Sequence, residues 1–191
     1  MPLEDLLRMG AVRRIWRWGS AVLHSAARPV TDFGPDLQRL VADLFATNTA
    51  AGGAGLAAPQ IGVDLAVFVY DCRNASMQAN VGLVCNPSVE TLTGRERRLD
   101  IDAEGCLSLP GAYIETPRPD LAVCTGQDQY GNAFKVVGTG VLARCLQHET
   151  DHCDGIVFAD RLPRRSRDRL WSQHREVAHR FGPDWPIAAE G

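Results

Sequence analysis

The sequence contains no apolar stretch approaching the roughly 20 residues that a membrane-spanning helix requires, and no apolar run of signal-peptide length near its amino terminus. A cytoplasmic protein with no membrane association is expected. The dense cysteine framework of a small secreted scaffold is also missing. Six cysteines in 191 residues, at Cys72, Cys85, Cys106, Cys124, Cys145 and Cys153, are irregularly spaced and include no C-x-x-C pair, so reduced thiols are expected. Positive charge is not in excess either. The formal net charge of −3 and pI near 5.9 exclude a whole-protein, sequence-specific nucleic-acid binder. What is present is enough apolar material, 45% of residues, for one substantial core. The whole chain, 1–191, is expected to form one domain, with an arm over about 1–27 and a basic helix over about 163–182.

The densest chemical information lies at His148-Glu149-Thr150-Asp151-His152. Residues four apart on an α-helix share a face one turn apart, so both imidazoles can reach one cation while Glu149 projects beside it. The helix shows its own pattern: Val141, Leu142, Cys145 and Leu146 recur at helical spacing after Gly140, and Gly155 marks the end. Short motifs also arise by chance, and a solvated face carrying two histidines would match equally well. A catalytic zinc-like ion needs a third protein ligand. Downstream, His174, Glu176 and His179 follow an arginine-rich stretch and make poor candidates.

Upstream stands Glu104-Gly105-Cys106-Leu107-Ser108. A thiolate suits zinc or ferrous iron, although Cys106 taken alone fits a small buried hydrophobe better. Further upstream, Gly53-Ala54-Gly55-Leu56-Ala57-Ala58-Pro59-Gln60 places glycines at alternate positions, where a bare backbone can approach a peptide. By itself this segment reads as a flexible turn.

In this order the three segments resemble the peptide deformylases, which are marked by G-x-G-x-A-A-x-Q, E-G-C-L-S and Q-H-E-x-D-H boxes. The resemblance runs from about Arg28 to about Leu162, and the outer segments are similar to the actinobacterial branch of this bacterial family. It implies a metallohydrolase that removes the formyl group from the formyl-methionine of nascent peptides, releasing formate. It further implies that Cys106, His148 and His152 are metal ligands and Glu149 the general acid/base. Gln60 and the Leu107 amide would stabilise the oxyanion, while Gly53, Gly55 and Leu56 would bind the substrate backbone. Glu104 and Gln147 would support the ligands. The implied cofactor is one divalent ion, ferrous iron in the cell, with zinc, nickel or cobalt able to substitute.

The chain departs from common members in two places. Gly19-Ser20-Ala21 stands where many have G-D-P, and Tyr113 stands where some carry an arginine near the substrate backbone. A zinc endopeptidase and a non-catalytic Cys-His-His metal protein remain as alternatives.

Between the boxes, Leu65–Tyr70, Val81–Val89 and Leu121–Val137, the last folding back at Asp128–Asn132, read as strands. Residues 71–80 and 93–102 read as polar surface loops, and Leu37–Ala50 resembles the family's first helix. The expected fold class is α+β, with antiparallel strands wrapping a central helix that carries the H-E-x-x-H element. Trp16 and Trp18 are expected to pack the arm on the domain. Arg164, Arg165, Arg167, Arg169, Arg175 and Arg180 decorate a carboxy-terminal helix whose apolar side includes Leu170, Trp171, Val177 and Phe181. Such a run is usually a solvated face. In the family, by resemblance, it would dock on the ribosome.

Overall fold

The computed structural model describes residues 1–73 and 79–187. Helices α1 (Leu3–Met9) and α2 (Pro35–Ala51) precede the short strand β1 (Gly55–Ala57), and strands β2 (Val67–Arg73) and β3 (Ala79–Thr91) follow. Next come β4 (Leu99–Gly105), β5 (Tyr113–Pro119), β6 (Leu121–Gln127) and β7 (Ala133–Thr139), then helices α3 (Gly140–Cys153) and α4 (Arg164–Val177). A five-stranded sheet runs β1-β2-β3-β6-β7, and β4 pairs with β5 in a separate two-stranded sheet. Every pairing is antiparallel.

The α+β expectation holds, and α3 is the central helix. It packs against strands of both sheets, and its residues from Cys145 to Cys153 are all buried. On one side Leu146 and Cys145 join Phe68, Tyr70 and Val84 of the larger sheet in a common apolar cluster. On the other face of that sheet α2 lays down Leu37, Leu40, Val41, Leu44 and Phe45 at the spacing of an amphipathic stripe. The end of α3 is set by Gly155, whose φ of +76° suits glycine, and a Cβ there would stand 2.5 Å from the Ser25 carbonyl carbon.

Two segments differ from the sequence expectation. Leu99–Asp102, expected as loop, forms the first half of β4. Leu99 and Ile101 are 45% and 65% exposed, because a two-stranded sheet standing clear of the core at this end imposes no burial pattern. The expected loop at 71–80 is strand at 71–73 and 79–80, and its centre, 74–78, lies outside the described residues. The arm holds a short helix, α1, anchored by the fully buried Leu6.

After α1 the arm runs as a strap. The Trp16 N–H donates to the Gln60 carbonyl at 2.7 Å and the Trp18 N–H to the Ser108 carbonyl at 3.1 Å. Trp18 meets Trp171 of α4 edge to face, with centroids 4.7 Å apart, while Trp16 stays 39% exposed beneath the Arg14 guanidinium. The strap thus ties the glutamine-bearing segment to the cysteine-bearing one.

Candidate metal centre

His148 and His152 lie one turn apart on α3, with ring centroids 4.9 Å apart. Cys106 follows the last residue of β4 in a turn closed by the Leu109 N–H on the Cys106 carbonyl, 2.8 Å, and its Sγ lies 3.3 Å from His152 Nε2. Among the described residues these three form a cluster whose ligand atoms all lie within 4.8 Å of one another. All three side chains are buried. None of the downstream alternatives joins them: His174 bonds through Nδ1 to the Pro110 carbonyl, and Glu176 and His179 are exposed.

The donor set suits a borderline-soft divalent cation: one sulfur and two imidazoles close together, leaving a fourth position for water or substrate. Among the described residues, two buried polar atoms nearby have no hydrogen-bond partner, Glu149 Oε2 and His152 Nδ1. Burial pushes the Glu149 carboxyl up to about 7, against the pull of His148. A carboxylate poised there can accept or return a proton near neutrality. His152 is driven the other way, well below the usual histidine range, chiefly by burial. It is therefore held neutral, the form in which imidazole binds a metal.

His148 is oriented from behind. Its Nδ1 lies 2.7 Å from Glu104 Oε1, which leaves Nε2 for a cation. Glu104 also accepts from Arg118 Nη2 at 2.6 Å, Arg118 Nε at 3.0 Å and Arg144 Nη1 at 2.8 Å. Burial alone would raise the Glu104 carboxyl, but its bonds to His148 and Arg118 more than offset that and hold it well below the usual carboxylate range. Arg118 then reaches Asp151 Oδ2 at 2.8 Å, and Arg161 pairs with the same carboxylate. Asp151 sits one turn after Gln147 on the same helix. Gln147 itself bonds the Pro119 and Ala143 carbonyls, both at 2.9 Å, and braces α3 against the end of β5.

Sequence reasoning missed Arg118 and Arg144. A signal was available for the first: β5 alternates exposed and buried, and Arg118 falls on the inward face with Ile114 and Thr116. A charged residue on an inward face requires buried partners.

Gln60 is 1% exposed, and its Oε1 accepts the Ala57 N–H at 2.9 Å, which turns Nε2 toward Cys106 Sγ at 3.7 Å and Ser108 Oγ at 3.4 Å. Gln60, Leu107, Gly53 and Gly55 line one cavity of about 390 Å³ together with Cys106, His148 and Glu149. Leu56 does not face that cavity. Its side chain is fully buried in the core beneath α2, so any part it takes in binding falls to its backbone, which pairs with Val69. Tyr113 is 60% exposed at the cavity's open side.

Three potential ligand atoms within 4.8 Å of one another, with a buried acid beside them, suit a metal-dependent hydrolase. Within that class the chain belongs to the polypeptide deformylase family, whose model matches residues 12–168. It is 52% identical over 180 residues to peptide deformylase 1 of Streptomyces avermitilis, covering 94% of this chain and 82% of the relative. Peptide deformylase 2 of Streptomyces coelicolor is 49% identical over 164 residues, covering 86% and 90%. A crystal structure of a peptide deformylase from Legionella pneumophila superposes with a TM-score of 0.79 at 36% identity, covering 88% of this chain and 96% of that one.

Proposed function

We propose that this protein removes the formyl group from the amino-terminal formyl-methionine of newly made polypeptides, releasing formate. The observation that carries the reading is the convergence of Cys106, His148 and His152 on one point beside Glu149 and Gln60, at the buried end of a single cavity.

Cys106 Sγ and the His148 and His152 imidazoles would hold the cation. When bound, it supplies Lewis acidity and water of lowered pKa at neutral pH. Glu149, with its unpartnered Oε2, takes the proton from the attacking water and later returns it to the departing amine. Gln60 Nε2 and the Leu107 N–H donate to the oxygen on which charge builds as the formyl carbon becomes tetrahedral. Gly53 and Gly55 present backbone to the peptide. Glu104 fixes the tautomer and direction of His148.

In the cell the ion is ferrous iron, a choice that the soft Cys106 sulfur favours, and zinc, nickel or cobalt substitute in purified protein. The exposed arginines of α4, Arg164, Arg165 and Arg169, dock the enzyme on the ribosome near the nascent chain. Charge reversal at these three positions abolishes salt-sensitive co-sedimentation with ribosomes if that docking is real, and unchanged co-sedimentation would refute it.

The activity is tested by mass spectrometry of formyl-Met-Ala-Ser after anaerobic incubation with the metal-loaded protein. Loss of the formyl group alone is expected. Cleavage of the Met-Ala bond would establish an endopeptidase instead, and an unaltered peptide would leave a metal-binding protein without this activity.

A further inference from the structure

The inner wall of the cavity carries a thiol that the metal chemistry does not use. Of the six cysteines, all free, only Cys106 and Cys145 line the cavity. Cys145 stands on α3 one turn before Glu149 and outside the three boxes. Its Sγ packs so tightly on the glycine strip that a Cβ at Gly55 would stand 2.7 Å from it. Behind it lies a second thiol. Cys72, near the end of β2, is 1% exposed and shares with Cys145 the apolar cluster that joins α3 to the larger sheet.

Strand alternation puts the two sulfurs on the same side. Val67 and Val69 of β2 face the α2 cluster, so Phe68, Tyr70 and Cys72 face α3. There both thiols find one acceptor. The Ala54 carbonyl accepts the Asp71 N–H at 2.8 Å, the Cys145 thiol at 3.3 Å and the Cys72 thiol at 3.4 Å. The thiols also bond one another: Cys72 heads the effects that raise Cys145 well above the usual thiol range, ahead of burial. Cys145 therefore rests as a neutral S–H and does not compete with Cys106 for a cation, which binds the thiolate form.

The geometry points to Cys72 and Cys145 as an oxidation site, a thiol pair that a small peroxide entering the cavity converts reversibly to a disulfide. The oxidant meets Cys145 first, because Cys72 is shielded behind it. The Cys145 sulfur attacks one peroxide oxygen; the S–O bond forms as the O–O bond breaks, and the thiol proton leaves with the departing hydroxide as water. The Cys72 sulfur then attacks the resulting sulfenic sulfur; the S–S bond forms, the S–O bond breaks, and the Cys72 proton makes a second water. The two thiols together lose two electrons and the peroxide gains them. Joining the sulfurs takes two of its three donors from the Ala54 carbonyl and shifts the atom against which Gly55 packs. Here the inference rests on the deformylase reading, in which Gly53 and Gly55 present backbone to the peptide: the oxidised protein should bind formyl peptide less well.

The test treats zinc-loaded protein with hydrogen peroxide, blocks the remaining thiols, and maps a non-reducing digest by mass spectrometry. A peptide holding Cys72 should be joined to one holding Cys145, two hydrogens lighter than the pair, with fragmentation placing the link at Cys145 and not at Cys153. In the same sample kcat/KM for formyl-Met-Ala-Ser should fall severalfold, chiefly through KM, and dithiothreitol should both separate the peptides and restore the rate. Sulfinic or sulfonic damage at Cys106 would not be restored. Cys72→Ala should keep its activity before peroxide, form no link after it, and trap Cys145 at the sulfenic stage, where dimedone labels it. No link in the wild-type protein, a link between other cysteines, or a link that leaves kcat/KM unchanged would overturn the proposal. Unoxidised protein that releases no formate would instead refute the deformylase reading, and the mapping, which needs no turnover, still decides the disulfide.

Discussion

A Cβ placed on Gly55 would stand 2.7 Å from Glu149 Oε1 and 2.7 Å from Cys145 Sγ. Strand β1 therefore runs hard against α3 at the level of its acid, and only a glycine fits there. The alternation of Gly53 and Gly55 serves the protein's interior as much as its substrate: a Cβ at Gly53 would meet Asn48 Oδ1 at 2.3 Å and the Leu107 side chain at 2.7 Å. Both glycines let the strand close on the segments that carry Glu149 and Leu107.

Gly55→Ala should thus displace either β1 or the Glu149 carboxylate. Overpacking of this kind costs about 1–3 kcal/mol, and the turnover loss should exceed what the stability loss explains. Thermal denaturation alongside kcat measures both. A variant with wild-type kcat would show that the close approach is dispensable.

Glu149→Gln keeps the size of the side chain and removes its capacity to take a proton. Metal content should stay at the wild-type level while kcat falls roughly 100- to 10,000-fold, the usual share of a general acid/base. Elemental analysis paired with formate assays checks it; full activity in the variant would remove Glu149 from the mechanism.

On the proposed mechanism, Gln60→Leu takes one donor from the developing oxyanion. A barrier increase of about 3 kcal/mol is expected, expressed in kcat more than in KM. Because the Gln60 amide also faces Cys106 Sγ at 3.7 Å, the metal affinity of the variant should be determined in the same preparation, and it should be retained.

The Glu104–Arg118 pair links pH to stability. The folded-state value of Glu104 is depressed, so its contribution is fully present above the unfolded carboxylate range near about 4.3 and is lost as pH falls through the lower folded value. Wild-type protein should keep this contribution in mildly acidic solution. Arg118→Leu strips a cation from two buried carboxylates, Glu104 and Asp151, and should destabilise by about 3 kcal/mol at neutral pH. The folded-state value of Glu104 then moves toward the unfolded one, so the variant has less of this contribution to lose and its stability falls less steeply in acid. Urea midpoints between pH 7 and pH 3 decide it: parallel profiles for the two proteins would contradict the assignment.

The Cys106-His148-His152 cluster was legible in the sequence because helical spacing brings His148 and His152 together without help from the rest of the chain, and because the cysteine and glycine boxes resemble a known family. Helix α3, the β6–β7 hairpin and the strand character of β2 and β3 follow from local periodicity. What could not be read depends on residues distant in sequence. Arg118 pairs with Glu104 and Asp151, 14 and 33 positions away, and no local pattern encodes that choice. Phe181 and Trp185 reach the cavity only because α4 turns the chain back over Gly111. Phe181, expected on the apolar side of the carboxy-terminal helix, lies in the turn beyond that helix and lines the cavity.

Metal titration of the stripped protein, with formate release followed at each step, probes the Cys106-His148-His152 centre most directly. Turnover should rise in proportion to bound cation, level off at one ion per chain, and be absent at every loading in Cys106→Ala. Turnover that is indifferent to metal, or that survives intact without the Cys106 thiol, would contradict the assignment.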